Sequence, residues 1–336
     1  MINNFFPLEV SVLSSNALGD YITREYFPPT LLRCRLYYRS LHDTYKITTA
    51  NNTYYFKVYR QGIRSMEEIQ AEIDILNYLK STGFEVAYPV AKRDGTYIGQ
   101  FQTINGIRYG VLYTSVGIRE FNELEETVEL NEKLGYYIAS LHNAFDKCDF
   151  NINRRDLDSN LFIDDSMNAI RQFSTIHDFD IDFLEEVAKK VKEKVDNLSN
   201  EKPQYGICHG DLYGGNLRVD SDNNPILFDF DFCGNGWRAY DISMYAFPFS
   251  MGSDLAKLEK REQRKNQFLN GYNKVRTMSE NEINSISIFI PFRRIFNIGT
   301  IYMTFMQNTW GDAAVTRNVD DDITMLKKWL DLNKVF

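Results

Sequence analysis

The densest group of chemically capable residues lies between Tyr205 and Asp241. There the chain reads Tyr205-Gly-Ile-Cys-His209-Gly210-Asp211-Leu-Tyr213-Gly-Gly-Asn216, passes a turn at Ser221-Asp222-Asn223-Asn224-Pro225, and continues Ile226-Leu-Phe-Asp229-Phe-Asp231. A carboxylate, an amide and two further carboxylates are gathered around one short hairpin. Phosphoryl transfer from a nucleotide to a hydroxyl needs such a set. One carboxylate orients the attacking hydroxyl and accepts its proton, and hard oxygen ligands hold Mg²⁺ on the phosphates. Asp211 fits the first role; Asn216 and Asp229 fit the second.

Other chemistries are less well served. Gly234-Asn-Gly236-Trp-Arg-Ala239 matches G-x-G-x-x-A, but neither an early βαβ unit nor an acidic second-strand end accompanies it. No G-x-x-x-x-G-K-[ST] run occurs. Cys34, Cys148, Cys208 and Cys233 form no C-x-x-C pair and read as reduced thiols, not as a zinc cluster or a disulfide framework. His209 reads as a loop support, because the acid two residues on already has the proton-accepting role. His142 and His177 read as structural.

The elements that must carry these residues follow from composition and periodicity. The 336 residues, 43% hydrophobic, suffice for one large domain or two lobes with real cores. A net charge of −8 argues against nucleic acid as the main partner. The first ten residues carry no basic segment ahead of their apolar ones, and no run of 18 apolar residues follows, so a soluble, cytoplasmic protein with no membrane partner is expected. Residues 1–120 hold 13 basic and 11 acidic groups and residues 121–336 hold 25 and 35, which suggests two lobes of different character. An acidic cleft in the second would attract a cationic acceptor.

In the first part Leu36 to Ile47 and Tyr54 to Tyr59 read as strands, joined by Ala50-Asn51-Asn52-Thr53, where Asn tolerates the positive φ of a tight turn. Asp94-Gly95 marks a second hairpin, between Val90–Arg93 and Thr96–Ile98. Between them Ser65-Met66-Glu67-Glu68 has the form of a capping box, and Met66, Ile69, Ile73 and Leu76 follow at helical spacing until Gly83. From Leu124 onward the pattern is mostly helical: residues 122–145, much of 165–198, and several segments between 240 and 335. The aromatic run from Ile288 to Trp310 reads as helical core.

On these residues the chain resembles the aminoglycoside phosphotransferase and choline kinase family. That family's loop, H-G-D-x-x-x-x-N followed by a strand bearing D-F-D, is matched by His209-Gly210-Asp211, Asn216 and Asp229-Phe230-Asp231. The resemblance covers roughly residues 30–245. It implies an α+β, protein kinase-like two-lobed fold, with a small antiparallel-sheet lobe over residues 1–115 and a larger, mostly helical lobe over 116–336. By it Asp211 is the catalytic Asp, Asn216 and Asp229 hold the metal, and Asp241 ties down the catalytic loop.

Lys57, in Tyr54-Tyr-Phe-Lys57-Val, is implied to reach the nucleotide's α- and β-phosphates. On a strand it points away from the face shared by Tyr54, Phe56 and Val58. Its ion-pair partner would be Glu72, with Glu68 one turn earlier as the runner-up. The place of the interlobe hinge falls at Tyr109–Gly117, where Tyr113 and Ser115 are nominated for backbone contacts to the adenine of ATP, GTP being an open alternative. The loop Arg39-Ser40-Leu41-His42-Asp43-Thr44 lacks the glycines of protein kinases, and Ser40 and His42 stand where the triphosphate would be met.

Tyr213 replaces the Lys that Ser/Thr protein kinases place two residues after the catalytic Asp, and 11 residues between Asp229 and Asp241 leave no room for an activation loop. A small-molecule hydroxyl is therefore the expected acceptor: an antibiotic first, with homoserine or an amino alcohol such as choline as the metabolic alternative. A non-catalytic nucleotide-binding pseudokinase is the third reading. Oligomeric state is not readable from the sequence.

Overall fold

Alternation along three strands sends Tyr45, Ile47, Phe56, Val58 and Leu112 to one side of a sheet, where they are fully buried against Leu18 and Ile22 of a helix. The computed structural model describes residues 8, 10–27, 33–246 and 255–333. The chain divides into two units, Met1–Val116 and Gly117–Phe336.

The first unit comprises α1 (Ser15–Glu25), β1 (Arg33–Arg39), β2 (Asp43–Thr48), β3 (Thr53–Val58), α2 (Met66–Ser81), β4 (Gly99–Thr103) and β5 (Gly106–Thr114). The strands form one antiparallel sheet in the order β1-β2-β3-β5-β4. Helix α1, capped by Ser14, is an element that periodicity alone did not bring out. Helix α2 begins at the expected capping box: Ser65 Oγ accepts from Glu68 N–H at 3.2 Å and Ser65 N–H donates to Glu68 Oε2 at 2.9 Å.

Two turn readings need correction. Positive φ outside glycine falls, among the described residues, on Asn223 and Asp229, not on Asn51 or Asn52. The β2–β3 turn is closed instead by Thr49, whose N–H donates to Asn52 O at 2.9 Å and whose Oγ1 accepts from Asn52 N–H at 3.0 Å. At Asp94-Gly95 the chain does turn, Lys92 N–H meeting Thr96 O at 2.7 Å, but the flanks build no ladder. Val90 N–H is already committed to Leu112 O. The second hairpin is β4–β5, closed at Ile104-Asn105 by Gly106 with φ +117.

The second unit holds β6 (Arg119–Glu120), α3 (Val128–Asp146), α4 (Ser166–Phe173), α5 (Ile181–Asp196), β7 (Tyr205–Cys208), β8 (Leu217–Val219), β9 (Pro225–Leu227), β10 (Gly234–Trp237), α6 (Arg238–Ala246), α7 (Leu255–Tyr272), α8 (Glu280–Ser285), α9 (Phe289–Phe296), α10 (Gln307–Trp310) and α11 (Asp312–Asn333). π-Helical turns over Asn160–Asp165 and Asn297–Met306 precede α4 and continue α9. Within the acidic run at 178–182, Asp180 caps α5 by accepting from Phe183 N–H. Small sheets β6-β8-β9 and β7-β10 carry the chemistry-bearing loops.

Helix α9 supplies the aromatic core, as its composition suggests: Phe162 stacks on Phe292 and Phe296 at 4.5 and 4.4 Å between centroids, with Tyr240 edge-on at 5.1 Å. Trp310, at the end of that aromatic run, is 40% exposed and lies outside the core. The fold is α+β, an antiparallel-sheet unit followed by a mostly helical one, and no helix among the described residues is long and apolar enough to cross a membrane.

Candidate active site

Strand β7 delivers the chain into a loop whose backbone is anchored by a single buried carboxylate. Asp241, in the first turn of α6, accepts the N–H of His209 at 2.7 Å and that of Gly210 at 2.8 Å on its two oxygens. Burial by itself would raise this carboxyl; a hydrogen bond from His142 and those from the loop outweigh it and hold it below the usual range. Gly210 has φ +82, and a Cβ there would collide with the main-chain oxygen of Phe232, so the turn requires glycine twice over.

His209 is fully buried, and its ring joins two segments. Its Nδ1 accepts from Asp211 N–H at 3.2 Å, which leaves the proton on Nε2 to be donated to Phe228 O at 3.1 Å. The histidine thus ties the backbone of Asp211 to the residue before Asp229.

Asp211 itself is held from both sides. Asn216 Nδ2 donates to the Asp211 main-chain oxygen at 2.9 Å and to its Oδ2 at 3.0 Å. Arg293 of α9 donates to Oδ1 at 2.9 Å. Burial raises the Asp211 carboxyl; Arg293 and His209 pull it down, and the nearby Asp229 charge pushes it up again. The side chain remains 19% exposed, so one edge of the carboxylate is open to a ligand.

Asn216 spends its NH₂ on Asp211, which leaves its Oδ1 as the hard oxygen it can offer a cation. Asp229 sits at φ +62, a left-handed backbone costly for a non-glycine residue and often found where function dictates side-chain direction. No group of three or more His, Cys, Asp and Glu side chains is placed to hold a metal among the described residues. One amide and one carboxylate oxygen are instead the donor set suited to Mg²⁺, which usually takes its other ligands from phosphates and water.

In the first unit, Lys57 Nζ lies 3.6 Å from Glu72 Oε1, with Glu72 1% exposed. Tyr59 and Tyr113 hydroxyls donate to the two Glu72 oxygens at 2.9 and 3.0 Å. Lys57 Nζ also stands 4.9 Å over the Tyr59 ring. Glu68 is occupied by the capping box, which explains why Glu72 meets the lysine.

The model of the phosphotransferase enzyme family matches residues 39–276, spanning both this lysine–glutamate pair and the Asp211 loop. The chain belongs to that family. By that membership it is a phosphotransferase. The uncharacterized protein sll1119 of Synechocystis sp. (strain ATCC 27184 / PCC 6803 / Kazusa) is 30% identical over 84% of this chain and 76% of its own. The structure of amicoumacin kinase hAmiN in complex with AMP-PNP, Ca2+ and Ami superposes with a TM-score of 0.76 at 19% identity, covering 96% of this chain and 94% of that one. The microcompartment-associated aminopropanol kinase gives 0.71 at 20%, covering 94% and 95%. The phosphotransferase therefore has the kinase fold that its motifs imply.

Several nominated residues are used differently from expectation. In this phosphotransferase the ring of His42 is 6% exposed, accepts Arg60 N–H on Nδ1 at 3.1 Å and packs 4.8 Å from the Tyr59 ring, so it supports the loop from inside. Ser40 is half-buried, and Arg60 Nη2 grips its carbonyl at 2.5 Å. An arginine thereby fixes the β1–β2 link that protein kinases build from glycine. Tyr113 belongs by its side chain to the Glu72 network, and burial beside that carboxylate pushes its phenol far up. Its backbone pairs with Tyr55, and Ser115 N–H lies 3.4 Å from Thr53 O.

Arg293 escaped the sequence reading because it stands 82 residues from Asp211 inside an apolar run. The available signal was a twin charge, Arg293-Arg294, interrupting a buried stripe: such residues are rarely buried unless paired. Arg294 pairs with Asp322 at 2.5 Å, and Tyr302 donates to the same carboxylate at 3.1 Å.

Proposed function

We propose that this chain is an ATP-dependent kinase that moves the γ-phosphoryl group to a hydroxyl of an antibiotic. Asp211 is the residue that orients the acceptor hydroxyl and takes its proton. The observation that carries the reading is the double restraint of Asp211, by Asn216 on Oδ2 and Arg293 on Oδ1, on a loop pinned by Asp241. A carboxylate so fixed presents its remaining lone pairs in set directions, which is the positioning that in-line phosphoryl transfer demands.

Lys57, held by Glu72, is assigned to the α- and β-phosphates, and Asn216 and Asp229 to Mg²⁺. When bound, that ion neutralises phosphate charge and steadies the leaving group. Asp229 is aimed by its left-handed backbone, and the His209 bridge keeps it in register with Asp211. Tyr113 and Ser115 remain assigned to the adenine edge by their place at the end of β5. The antibiotic acceptor draws support from the likeness to amicoumacin kinase, and homoserine or an amino alcohol is the competing class.

The test is purified protein with MgATP against a panel of antibiotics and metabolite alcohols. ADP release is followed and the acceptor is weighed for the gain of one phosphoryl group. One antibiotic phosphorylated, and nothing in Asp211→Ala, supports the reading. Phosphorylation of homoserine or an amino alcohol alone would move it to metabolism, and silence despite ATP binding would make the chain a nucleotide sensor.

A further inference from the structure

The guanidinium of Arg293 is held against the Asp211 loop by both of its terminal nitrogens. Nη2 donates to Asp211 Oδ1 at 2.9 Å and Nη1 to the Tyr240 hydroxyl at 2.8 Å, with Gly210 O at 3.4 Å. Tyr240 passes the contact on, donating to Gly210 O at 3.0 Å. The Phe232 and Phe296 rings flank the guanidinium carbon at 5.3 and 5.2 Å. We propose that Arg293 is a positioning residue for phosphoryl transfer, a strut from α9 that fixes the rotamer of the Asp211 carboxylate against the acceptor. The inference rests on the reading of Asp211 given above and names a further residue of that same site.

Three physical points carry it. A buried ion pair adds little stability over an apolar pair of similar volume, so packing alone does not call for an arginine among Phe232, Phe292 and Phe296. A planar fork with two aromatic faces and three oxygen partners has essentially one orientation, and lysine could not reproduce it. With Nη2 on one carboxylate oxygen and Asn216 Nδ2 on the other, rotation about the Asp211 side chain is blocked. Each oxygen still keeps a second lone pair for the acceptor hydroxyl.

The experiment compares wild type, Arg293→Ala, Arg293→Lys and Asp211→Ala, using whichever acceptor the panel yields, after thermal melts establish folding. Arg293→Ala is expected to lose about 10²-fold in kcat, the scale of a misplaced catalytic group, with the KM for ATP unchanged. Added guanidinium should restore part of that turnover and none in Asp211→Ala. If the alanine variant does not fold, Arg293→Lys serves: its kcat should fall with KM for ATP again unmoved. Wild-type kcat in a folded Arg293 variant, or a raised KM for ATP at unchanged kcat, would overturn the inference while leaving the kinase reading intact. A wild-type enzyme inactive on every acceptor would sink the kinase reading and this inference with it.

Discussion

His142 and Asp241 share a hydrogen bond of 3.2 Å in a place from which solvent is excluded. His142 Nδ1 takes the Tyr272 hydroxyl at 2.8 Å, so the neutral ring with its proton on Nε2 satisfies both partners. Burial, together with the Arg238 charge, drives the imidazole down to about 4 from its ordinary 6.5. In the unfolded chain the same ring takes up a proton near 6.5. The stability contributed is therefore present above pH 6.5 and lost as pH falls toward 4, by up to about 3 kcal/mol. Urea unfolding at a series of pH values should show this slope, and His142→Gln should flatten it; an unchanged slope would refute the assignment.

The Lys57–Glu72 pair gives a second prediction. Glu72→Ala removes the carboxylate that faces a largely buried ammonium and accepts from two tyrosine hydroxyls, a change that typically costs about 3–5 kcal/mol. Glu72→Gln keeps an acceptor for one hydroxyl and should fold better, yet raise the KM for ATP about 10-fold, one factor of ten per 1.4 kcal/mol. Nucleotide titration of the two variants decides the matter, and wild-type ATP affinity in both would separate the pair from phosphate binding.

Gly210→Ala tests the loop. The new methyl group runs into Phe232 O on a backbone with φ +82. Either the loop or the 229–233 turn must move, at a cost of about 1–3 kcal/mol for the backbone alone. Turnover should drop about 10²-fold while the protein stays folded, because a shift of about 1 Å at Asp211 is enough. Normal turnover in this variant would show that the loop tolerates displacement.

How much of this was legible beforehand depends on the range of the interaction. The motif residues Asp211, Asn216, Asp229 and Asp241 are close in sequence, and the bonds that hold their loop, from Asn216 to Asp211 and from His209 and Gly210 to Asp241, span at most 32 positions, so spacing carries the information. The α2 cap and the strand face opposite Lys57 are equally local. Arg293 reaches Asp211 from 82 residues away, and nothing in a single sequence ties an arginine in an aromatic helix to that loop. Helix α1 was missed for a related reason: Leu18 and Ile22 acquire meaning only against Tyr45, Phe56 and Leu112 of the sheet. The burial of His42 was equally hidden, because a polar residue in a loop reads as exposed until the Tyr59 ring and Arg60 are seen to enclose it.

Asp229→Ala should act on a different step from Asp211→Ala. Loss of the hard oxygen is expected to weaken Mg-nucleotide binding as well as turnover, whereas Asp229→Gly, which relieves the left-handed backbone, should be more stable than wild type and equally inactive. Calorimetric titration with MgATP and with ATP in chelator separates the two effects. Equal MgATP affinity in the wild type and both variants would remove Asp229 from the metal.

Single-turnover phosphorylation by wild type and Asp211→Asn, on the acceptor found in the panel, bears most immediately on the chemistry. The asparagine is an isostere that keeps the Arg293 and Asn216 neighbourhood filled. The phosphoryl-transfer rate should fall by about 10²–10⁴-fold with ATP affinity retained, the range expected for removal of a positioned base. A rate within a few-fold of wild type would contradict the assignment of Asp211 as that base.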